Sequence, residues 1–158
     1  MSTLTVGVPS EIKPDERRVA VTPDGVVELV GHGIEVLVQS GAGAGIGVLD
    51  AAYVTAGARI VANAEDAWAA ELVCKVKEPQ DSELALLRAD LTLFTYLHLA
   101  AYPKVAQALV DAGTSGIAYE TVMRADGQLP LLAPMSEIAG RMAVQAGARF
   151  LEAPQGGS

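Results

Sequence analysis

The sequence predicts an α/β fold with a mostly parallel sheet and helices on both faces. Short apolar, β-branched runs alternate with longer helix-like stretches along the whole chain, a pattern typical of parallel strands linked by crossover helices. The helix ends carry ordinary signals: Thr22-Pro23 places an N-cap residue before a proline, and Asp111-Ala112-Gly113 places a glycine just past a helix end.

The alternation assigns strands and helices in turn along the chain. The predicted strands are Thr5–Val8, Glu35–Gln39, Arg59–Val61, Leu72–Val76, Leu91–Tyr96 and Gly116–Tyr119. The predicted helices are Pro23–Gly31, Asp50–Ala56, Ala64–Ala69, Ser82–Arg88, Tyr102–Ala112 and Ser136 to about Phe150. We therefore expect one domain built on one sheet.

Composition excludes several classes of protein. The chain has 158 residues and a formal net charge of -8 without any basic run, so we expect no nucleic-acid partner. No apolar stretch reaches ~18 residues, which argues against a membrane span. The N-terminus lacks the basic region of a signal peptide, and the single cysteine, Cys74, cannot form an internal disulfide. These features predict a cytoplasmic protein.

Polar residues that directly follow strands are the candidates for chemistry, because ligands of parallel sheets bind outside the carboxyl ends of the strands. Lys75 and Lys77 follow one apolar run. The alternation of strand side chains predicts that one lysine points into a cleft while the other meets solvent or a helix. The alternative is that both are ordinary strand-end lysines.

The two histidines have different contexts. His98 follows a predicted strand, where it could exchange a proton near neutral pH or could equally be a hydrogen-bonded strand-end imidazole. His32 follows Gly31 at a helix end, which favours a surface cap.

An arginine pair and a serine complete the polar candidates. Arg17 and Arg18 lie between the first strand and an apolar run, so at least one should sit where the chain turns inward. A planar guanidinium suits a carboxylate, although a solvated charged loop also fits this pattern. Ser136 is predicted to be the N-cap of the last long helix, which by itself explains that serine.

Two features are interpreted as structural. The run from Ser40 to Gly47 resembles a dinucleotide fingerprint, but the sixth position is Ile46 or Val48 in either register, so we expect a glycine-rich turn instead. Cys74 lies within an apolar run and is expected to be a buried, inert thiol. No group of His, Cys or acidic residues has the spacing of a metal site.

Taken together, several segments resemble the N-terminal region of the alanine dehydrogenase and pyridine nucleotide transhydrogenase family, and alanine dehydrogenases in particular. The resemblance runs in order along the chain. It rests on Val6–Lys13, Arg17–Pro23, Lys75–Pro79, Phe94–Ala100, Ile117–Thr121 and Leu131–Glu137.

The resemblance implies a Rossmann-like substrate domain and a role for each matching residue. Arg18 and Lys77 would hold an amino or keto acid by its carboxylate and carbonyl oxygen, and His98 would transfer the proton, which makes Lys77 and His98 the expected catalytic pair. The residues implied to line the cleft are Tyr96, Glu120 and Met135, with Ser136 on the cofactor side.

The resemblance also implies NAD as cofactor and the conversion of L-alanine, NAD and water to pyruvate, ammonia and NADH. In the family a nucleotide-binding domain follows, so we expect residues 1–152 to form the substrate domain and residues 153–158 to begin a linker. The chain by itself is expected neither to bind NAD tightly nor to turn over alanine. A homo-oligomer, or a partner chain that supplies the nucleotide-binding domain, is expected.

Two other functions fit the same residues. One is a stand-alone domain that binds a keto acid or amino acid, or that acts as a regulatory partner. The other is a non-redox enzyme that uses Lys77 and His98 on a carbonyl substrate, for instance through an imine. A fragment without activity of its own is also compatible with the sequence.

Overall fold

The computed structural model describes residues 4–157. Residues 1–3, at the start of the N-terminal stretch judged for a signal peptide, and Ser158, at the end of the expected linker, lie outside the described residues. The chain divides into two compact units, the first ending at Ala118 and the second beginning at Tyr119.

The first unit alternates strands and helices as the sequence predicts. Its elements are β1 (Thr5–Val8), α1 (Pro23–Gly31), β2 (Glu35–Gln39), α2 (Asp50–Thr55), β3 (Arg59–Val61), α3 (Ala64–Trp68), β4 (Leu72–Cys74), β5 (Thr92–Thr95), α4 (Pro103–Ala112) and β6 (Ser115–Ala118). Short 3₁₀ helices lie at Ala44–Ile46 and Asp81–Leu86.

The six strands form one sheet in the order β3-β2-β1-β4-β5-β6, and every pairing is parallel. The predicted α/β class with a parallel sheet is confirmed. The chain runs outward from β1 to β3 and then crosses back to β4, which pairs with the other side of β1. The crossovers therefore diverge between β1 and β4, and this position is a topological switch point.

Helices cover both faces of the sheet because strand side chains alternate. In β2, Val36 and Val38 join the core on the side of α1 and α2, whereas Leu37 packs with Ala67 of α3. On the other half of the sheet, Val73, Leu91 and Leu93 pack with Trp68 and with two residues of α4, Val105 and Leu109.

Several element boundaries differ from the prediction by one residue, and three elements differ in a way that has a physical reason. β4 ends at Cys74 instead of Val76, because the N–H groups of Val76 and Lys77 bond to a glutamate side chain instead of a strand. The predicted helix Ser82–Arg88 is a 3₁₀ helix, Asp81–Leu86. Ser136 was wrongly assigned as an N-cap.

In the second unit, helix α5 spans Ala133–Phe150 with Leu132 as its N-cap, so it begins three residues before Ser136. Pro134 explains the earlier start, because a proline in the first helical turn needs no hydrogen-bond acceptor for its nitrogen. Short 3₁₀ helices at Tyr119–Thr121 and Ala153–Gln155 flank this unit. Within residues 4–157, no helix is long and apolar enough to cross a membrane.

Gly7 supports the packing of α3 on the sheet, and its replacement tests this packing. A β-carbon at position 7 would overlap the carbonyl oxygen of Ala67, so Gly7→Ala must push α3 away from β1. We expect a loss of about 1–3 kcal/mol in the free energy of unfolding, measured with urea.

Gly31→Ala is the matched control for Gly7→Ala. No atom lies within 4 Å of a β-carbon built at Gly31, the last residue of α1. Alanine is also the better helix former, so this variant should be neutral or slightly stabilising. Equal losses in the two variants would show that backbone flexibility, and not the contact with Ala67, accounts for the effect at Gly7.

Candidate functional site

The predicted site residues of the first unit follow β1, β4 and β5, neighbouring strands that flank the switch point. Arg18 lies in the crossover after β1, Lys77 follows β4, and Tyr96 and His98 follow β5. The carboxyl ends of parallel strands share one edge of a sheet, which is where ligands bind in this architecture. The topology therefore supplies the place that the sequence analysis assigned to substrate.

Lys75 is fully buried and forms ion pairs with two carboxylates. Its ammonium lies 3.3 Å from Glu11 Oε2 and 2.8 Å from Glu83 Oε1, and both carboxylate side chains are almost completely buried as well. A buried ammonium requires such partners, since removing it from water is costly. We call Glu11, Lys75 and Glu83 the buried triad.

Lys77 and Lys75 have different environments, as the sequence analysis expected, but strand alternation is not the cause. Lys75 is 0% exposed whereas Lys77 is half-buried. Residues two apart lie on the same face of a regular strand, so the argument from side-chain alternation was wrong. The two lysines diverge because β4 already ends at Cys74, and the irregular chain after it carries Lys77 away.

The Glu11 carboxylate holds the backbone of this irregular segment. Its Oε1 accepts a hydrogen bond from the N–H of Val76 at 2.6 Å, and its Oε2 accepts one from the N–H of Lys77 at 3.3 Å. Burial raises the pKa of Glu11, although the nearby charge of Lys75 and the two N–H groups act in the opposite direction. Glu11 thus links the loop after β1 to the residue predicted to bind substrate.

Arg18 is oriented by Glu16. Its Nε donates to Glu16 Oε1 at 2.8 Å and its Nη2 to Glu16 Oε2 at 2.6 Å, while its side chain remains 43% exposed. The hydrogen bonds from Arg18 lower the pKa of Glu16 to about 2, and the charge of Lys77 contributes to the same shift. Arg18 and Lys77 therefore both lie close to Glu16. A guanidinium has five N–H donors in one plane, so this pairing fixes the orientation of that plane.

Tyr96 and His98 stand together at the end of β5. Their rings stack with centroids 5.8 Å apart and an interplanar angle of 14°. Tyr96 is buried, whereas His98 is exposed and has a φ of 45°, in the left-handed region that a non-glycine residue rarely adopts. An electrostatic interaction with the Tyr96 side chain also contributes to a raised pKa of Arg18, behind the larger effect of the bonds to Glu16. The electrostatic interactions of Glu16 with Lys77 and of Arg18 with Tyr96, together with the stacked rings, indicate that Arg18, Lys77, Tyr96 and His98 lie near one another.

A second ionic contact joins the same loops. The ammonium of Lys13 donates to the carboxylate of Glu78 and, at 3.0 Å, to the hydroxyl of Tyr102, and it lies 4.8 Å from the centre of that ring. The Glu78 side chain is 1% exposed. Burial alone would raise the pKa of Glu78, but the bond from Lys13 and further hydrogen bonds hold it below its usual value.

The glycine-rich turn after β2 supports the loop that carries the arginines. Gly41 and Gly47 have positive φ values, as expected for a turn. A β-carbon at Gly45 would overlap the carbonyl oxygen of Arg17, so the turn lies directly against the arginine loop. The side chain of Asp50 closes the turn by accepting hydrogen bonds from Ser40 Oγ at 2.7 Å and from the N–H of Gly41 at 2.9 Å.

Two further residues match their structural interpretations. His32 caps α1, and its Nδ1 donates to the carbonyl oxygen of Glu28 at 2.8 Å. Cys74 is buried at the end of β4, and burial raises the pKa of its thiol to about 11, which keeps it in the unreactive protonated form at neutral pH. Neither residue belongs to the candidate site.

The remaining predicted site residues lie in the second unit. Glu120 belongs to the short 3₁₀ helix Tyr119–Thr121, and Met135 and Ser136 belong to the first turns of α5. The hydroxyl of Ser136 donates to the carbonyl oxygen of Leu132 at 3.4 Å. Their roles in the cleft and on the cofactor side stay predictions.

Sequence reasoning missed the residues that hold the site together. Glu11, Glu83, Lys13 and Glu78 look like ordinary surface charges in the sequence, yet three of these side chains are almost completely buried. One signal was available: Lys75 directly follows the buried residues Val73 and Cys74, and a lysine in such a position needs buried carboxylates. Which carboxylates meet it depends on contacts between residues 64 positions apart.

The sequence matches the family described as "Alanine dehydrogenase/PNT, N-terminal domain" over residues 7–139. The chain belongs to this family. It is 57% identical over 155 residues to the alanine dehydrogenase of Bacillus subtilis and 55% identical to that of Mycobacterium tuberculosis, in each case over 98% of this chain. These matches cover 40% and 42% of the two relatives, so the chain spans about two fifths of their length.

Solved structures agree with the sequence relatives. An L-alanine dehydrogenase superposes with a TM-score of 0.92 and 51% identity, over 98% of this chain and 43% of that one. A transhydrogenase from Sinorhizobium meliloti superposes with a TM-score of 0.71 and 31% identity, over 76% of this chain and 34% of that one. The fold predicted from the resemblance is thereby confirmed.

Replacing Lys75 tests the buried triad. Lys75→Met fills similar volume but leaves Glu11 and Glu83 buried without their cation, so we expect a loss of about 3–5 kcal/mol in the free energy of unfolding. The control is Lys104→Met, which removes an exposed ion pair with Asp81 and should change stability by about 1 kcal/mol or less. Urea unfolding at pH 7 measures both, and similar losses would contradict the interpretation.

The pH dependence of stability tests the Arg18 pair with Glu16. The pKa of Glu16 is lowered from 4.5 to about 2 in the folded protein, so its contribution is present above pH 4.5 and is lost as the pH falls toward 2. Glu16→Gln lacks this contribution throughout. The difference in unfolding free energy between wild type and Glu16→Gln should therefore shrink between pH 4.5 and pH 2, and a constant difference would contradict the prediction. Glu11, whose pKa is shifted the other way, is present in both proteins and cancels.

Proposed function

We propose that this chain forms the substrate-binding part of an NAD-dependent alanine dehydrogenase and binds L-alanine and pyruvate. The observation that carries the proposal is the cluster of Arg18, Lys77, Tyr96 and His98 at the switch point of the sheet. The identity of 57% to an alanine dehydrogenase supports the choice of substrate.

The two cations suit the two polar ends of a small keto acid. Glu16 orients the guanidinium of Arg18 through its Nε and Nη2 groups. A planar guanidinium is the cation best suited to bind a carboxylate. The ammonium of Lys77 is a compact donor for the carbonyl oxygen, whose partial negative charge increases as an amine or water adds to the carbon. We assign Arg18 to the carboxylate and Lys77 to the carbonyl oxygen for this reason.

His98 is assigned to proton transfer. It is exposed at the mouth of the site, and its stacking on Tyr96 fixes the ring plane. Imidazole is the side chain best suited to exchange a proton near neutral pH, and His98 is assigned to take a proton from an adding amine or water and to return it. Tyr96 supplies an apolar wall beside it, and we further assign Glu120 and Met135 to the cleft and Ser136 to the cofactor side.

NAD would accept the hydride from alanine, but the described residues of the first unit do not fit a dinucleotide. The turn after β1 contains charged side chains that are already engaged in ion pairs, Lys13 with Glu78 and Glu16 with Arg18. In the glycine-rich turn after β2, the space at Gly45 is taken by the Arg17 backbone. NAD is therefore not assigned to this unit.

The nucleotide-binding elements are proposed to lie elsewhere. The relatives are more than twice as long as the matched region, which supports a separate nucleotide-binding domain in this enzyme class. Residues 153–158 are proposed to begin the linker to it. A homo-oligomer or a complementing chain, acting in the cytoplasm, completes the proposal.

Titration calorimetry with pyruvate tests the substrate assignment. Wild type should bind pyruvate, and Arg18→Ala or Lys77→Ala should weaken the binding at least tenfold, because each variant removes one of the two cations that face the anion. Lys104→Ala is the control: its ammonium pairs with Asp81 on the surface, so pyruvate affinity should not change.

Binding that is unchanged in both Arg18→Ala and Lys77→Ala would contradict the assignment. NADH formation from L-alanine, followed for the chain alone and after mixing with the nucleotide-binding domain of a relative, tests the redox activity. Pyruvate binding combined with no alanine-dependent NADH in either case would leave a keto-acid-binding domain and overturn the dehydrogenase.

A further inference from the structure

The peptide backbone of Lys77 is held on both sides by side chains from other elements. Its N–H donates to Glu11 Oε2 at 3.3 Å, and its carbonyl oxygen accepts a hydrogen bond from Thr95 Oγ1 at 2.9 Å. Regular strand pairing holds neither group, because β4 ends at Cys74. The position of Lys77 therefore depends on two individual side chains.

Glu11 is well suited to hold a backbone segment in place. Its side chain is 3% exposed, and one of its oxygens also accepts the N–H of Val76 at 2.6 Å. The same carboxylate is paired with the fully buried Lys75. Moving Glu11 away would leave the Lys75 pair and two N–H groups without this partner, so the local geometry has little freedom.

Thr95 connects Lys77 to the other half of the site. It is the last residue of β5 and is 0% exposed, and the following residue, Tyr96, donates its N–H to the carbonyl oxygen of Val76 at 3.3 Å. The stretch Thr95–His98 and the stretch Val76–Lys77 are thus joined by two hydrogen bonds. A shift of Lys77 relative to His98 would break at least one of them.

We propose that Glu11 and Thr95 are positioning residues for Lys77, which fix its backbone so that its ammonium stands at the carbonyl oxygen of the substrate. This inference rests on the proposed function, in which Lys77 binds the keto acid. Neither residue touches the substrate in this assignment. Each acts through the peptide groups on either side of Lys77.

The decisive comparison uses Thr95→Val and Thr95→Ser. Valine keeps the shape of threonine but lacks the donor, so the Lys77 carbonyl loses its partner, and pyruvate affinity should fall about five- to tenfold, the equivalent of one hydrogen bond. Serine keeps the hydroxyl and should restore most of the affinity. Glu11→Gln, which keeps one acceptor oxygen but loses the charge, should also weaken pyruvate binding.

Thr114→Val separates positioning from a general loss of packing. Thr114 is also buried, and its hydroxyl also donates to a backbone carbonyl, that of Arg88, at 2.8 Å. It lies next to the amino end of β6, away from the carboxyl ends of the strands. Thr114→Val should lower the melting temperature about as much as Thr95→Val does while leaving pyruvate affinity unchanged.

The proposal is overturned if Thr95→Val binds pyruvate like wild type, if Thr95→Ser binds as weakly as Thr95→Val, or if Thr114→Val weakens binding equally. A second readout does not depend on pyruvate. The rate at which acetic anhydride acylates Lys77, relative to Lys104 in the same sample, reports the surroundings of the Lys77 ammonium and is read by peptide mass mapping.

This second readout distinguishes failure of the positioning proposal from failure of the proposed function. If wild type does not bind pyruvate, the substrate assignment fails, and the acylation ratio alone decides the positioning role. A several-fold change of the ratio in Thr95→Val and Glu11→Gln, absent in Thr95→Ser and Thr114→Val, supports positioning. An unchanged ratio in Thr95→Val overturns it.

Discussion

The candidate site depends on one buried cation. The ammonium of Lys75 has no access to solvent, so the fold must supply carboxylates in the interior, and it supplies two, from the loop after β1 and from the 3₁₀ helix after β4. Glu83 also accepts the N–H of Gln80 at 2.8 Å, at the start of that 3₁₀ helix. The crossovers that diverge at the switch point are thereby tied together beneath the site. Buried ion pairs therefore lie next to the switch point between β1 and β4.

In the loops after β1 and β4, side chains hold the backbone in place, as strand pairing does within the sheet. β1 ends before Pro9 and β4 ends at Cys74, and beyond Val76 the backbone groups of Lys77 bond to side chains instead of a neighbouring strand. Glu11 accepts N–H groups from the segment after β4, and the Lys13 pair with Glu78 adds a contact to Tyr102, next to the start of α4. Such bonds are specific to one geometry, because a carboxylate that moves loses a buried partner. A loop region near a binding cleft can in this way be as well fixed as the strands before it.

The sequence predicts the sheet and the candidate residues that follow its strands, but it does not predict the buried ion pairs beside them. Alternation of apolar runs places the strands to within a few residues, since periodicity is a local property. Arg18, Lys77 and His98 follow strands, and parallel topology alone brings them to one edge. By contrast, the partners of Lys75 are separated from it by 64 positions in one case, and nothing local distinguishes Glu11 from the exposed Glu28 or Glu35. Ser136 shows the opposite error. A serine is a plausible N-cap, but the helix begins earlier, at Ala133, with Pro134 in its first turn.

The cations around the site differ in the carboxylates that accompany them. Lys13 is paired with Glu78 and Arg18 with Glu16, whereas Lys75 is shared by two carboxylates. With all three groups ionised, the triad formally carries two negative charges and one positive charge. The backbone N–H of Lys77 bonds to one of those carboxylates, Glu11. Because that carboxylate is buried and paired with Lys75, it has little freedom to move. The buried triad is thus connected directly to the backbone of the lysine that is proposed to meet an anionic substrate.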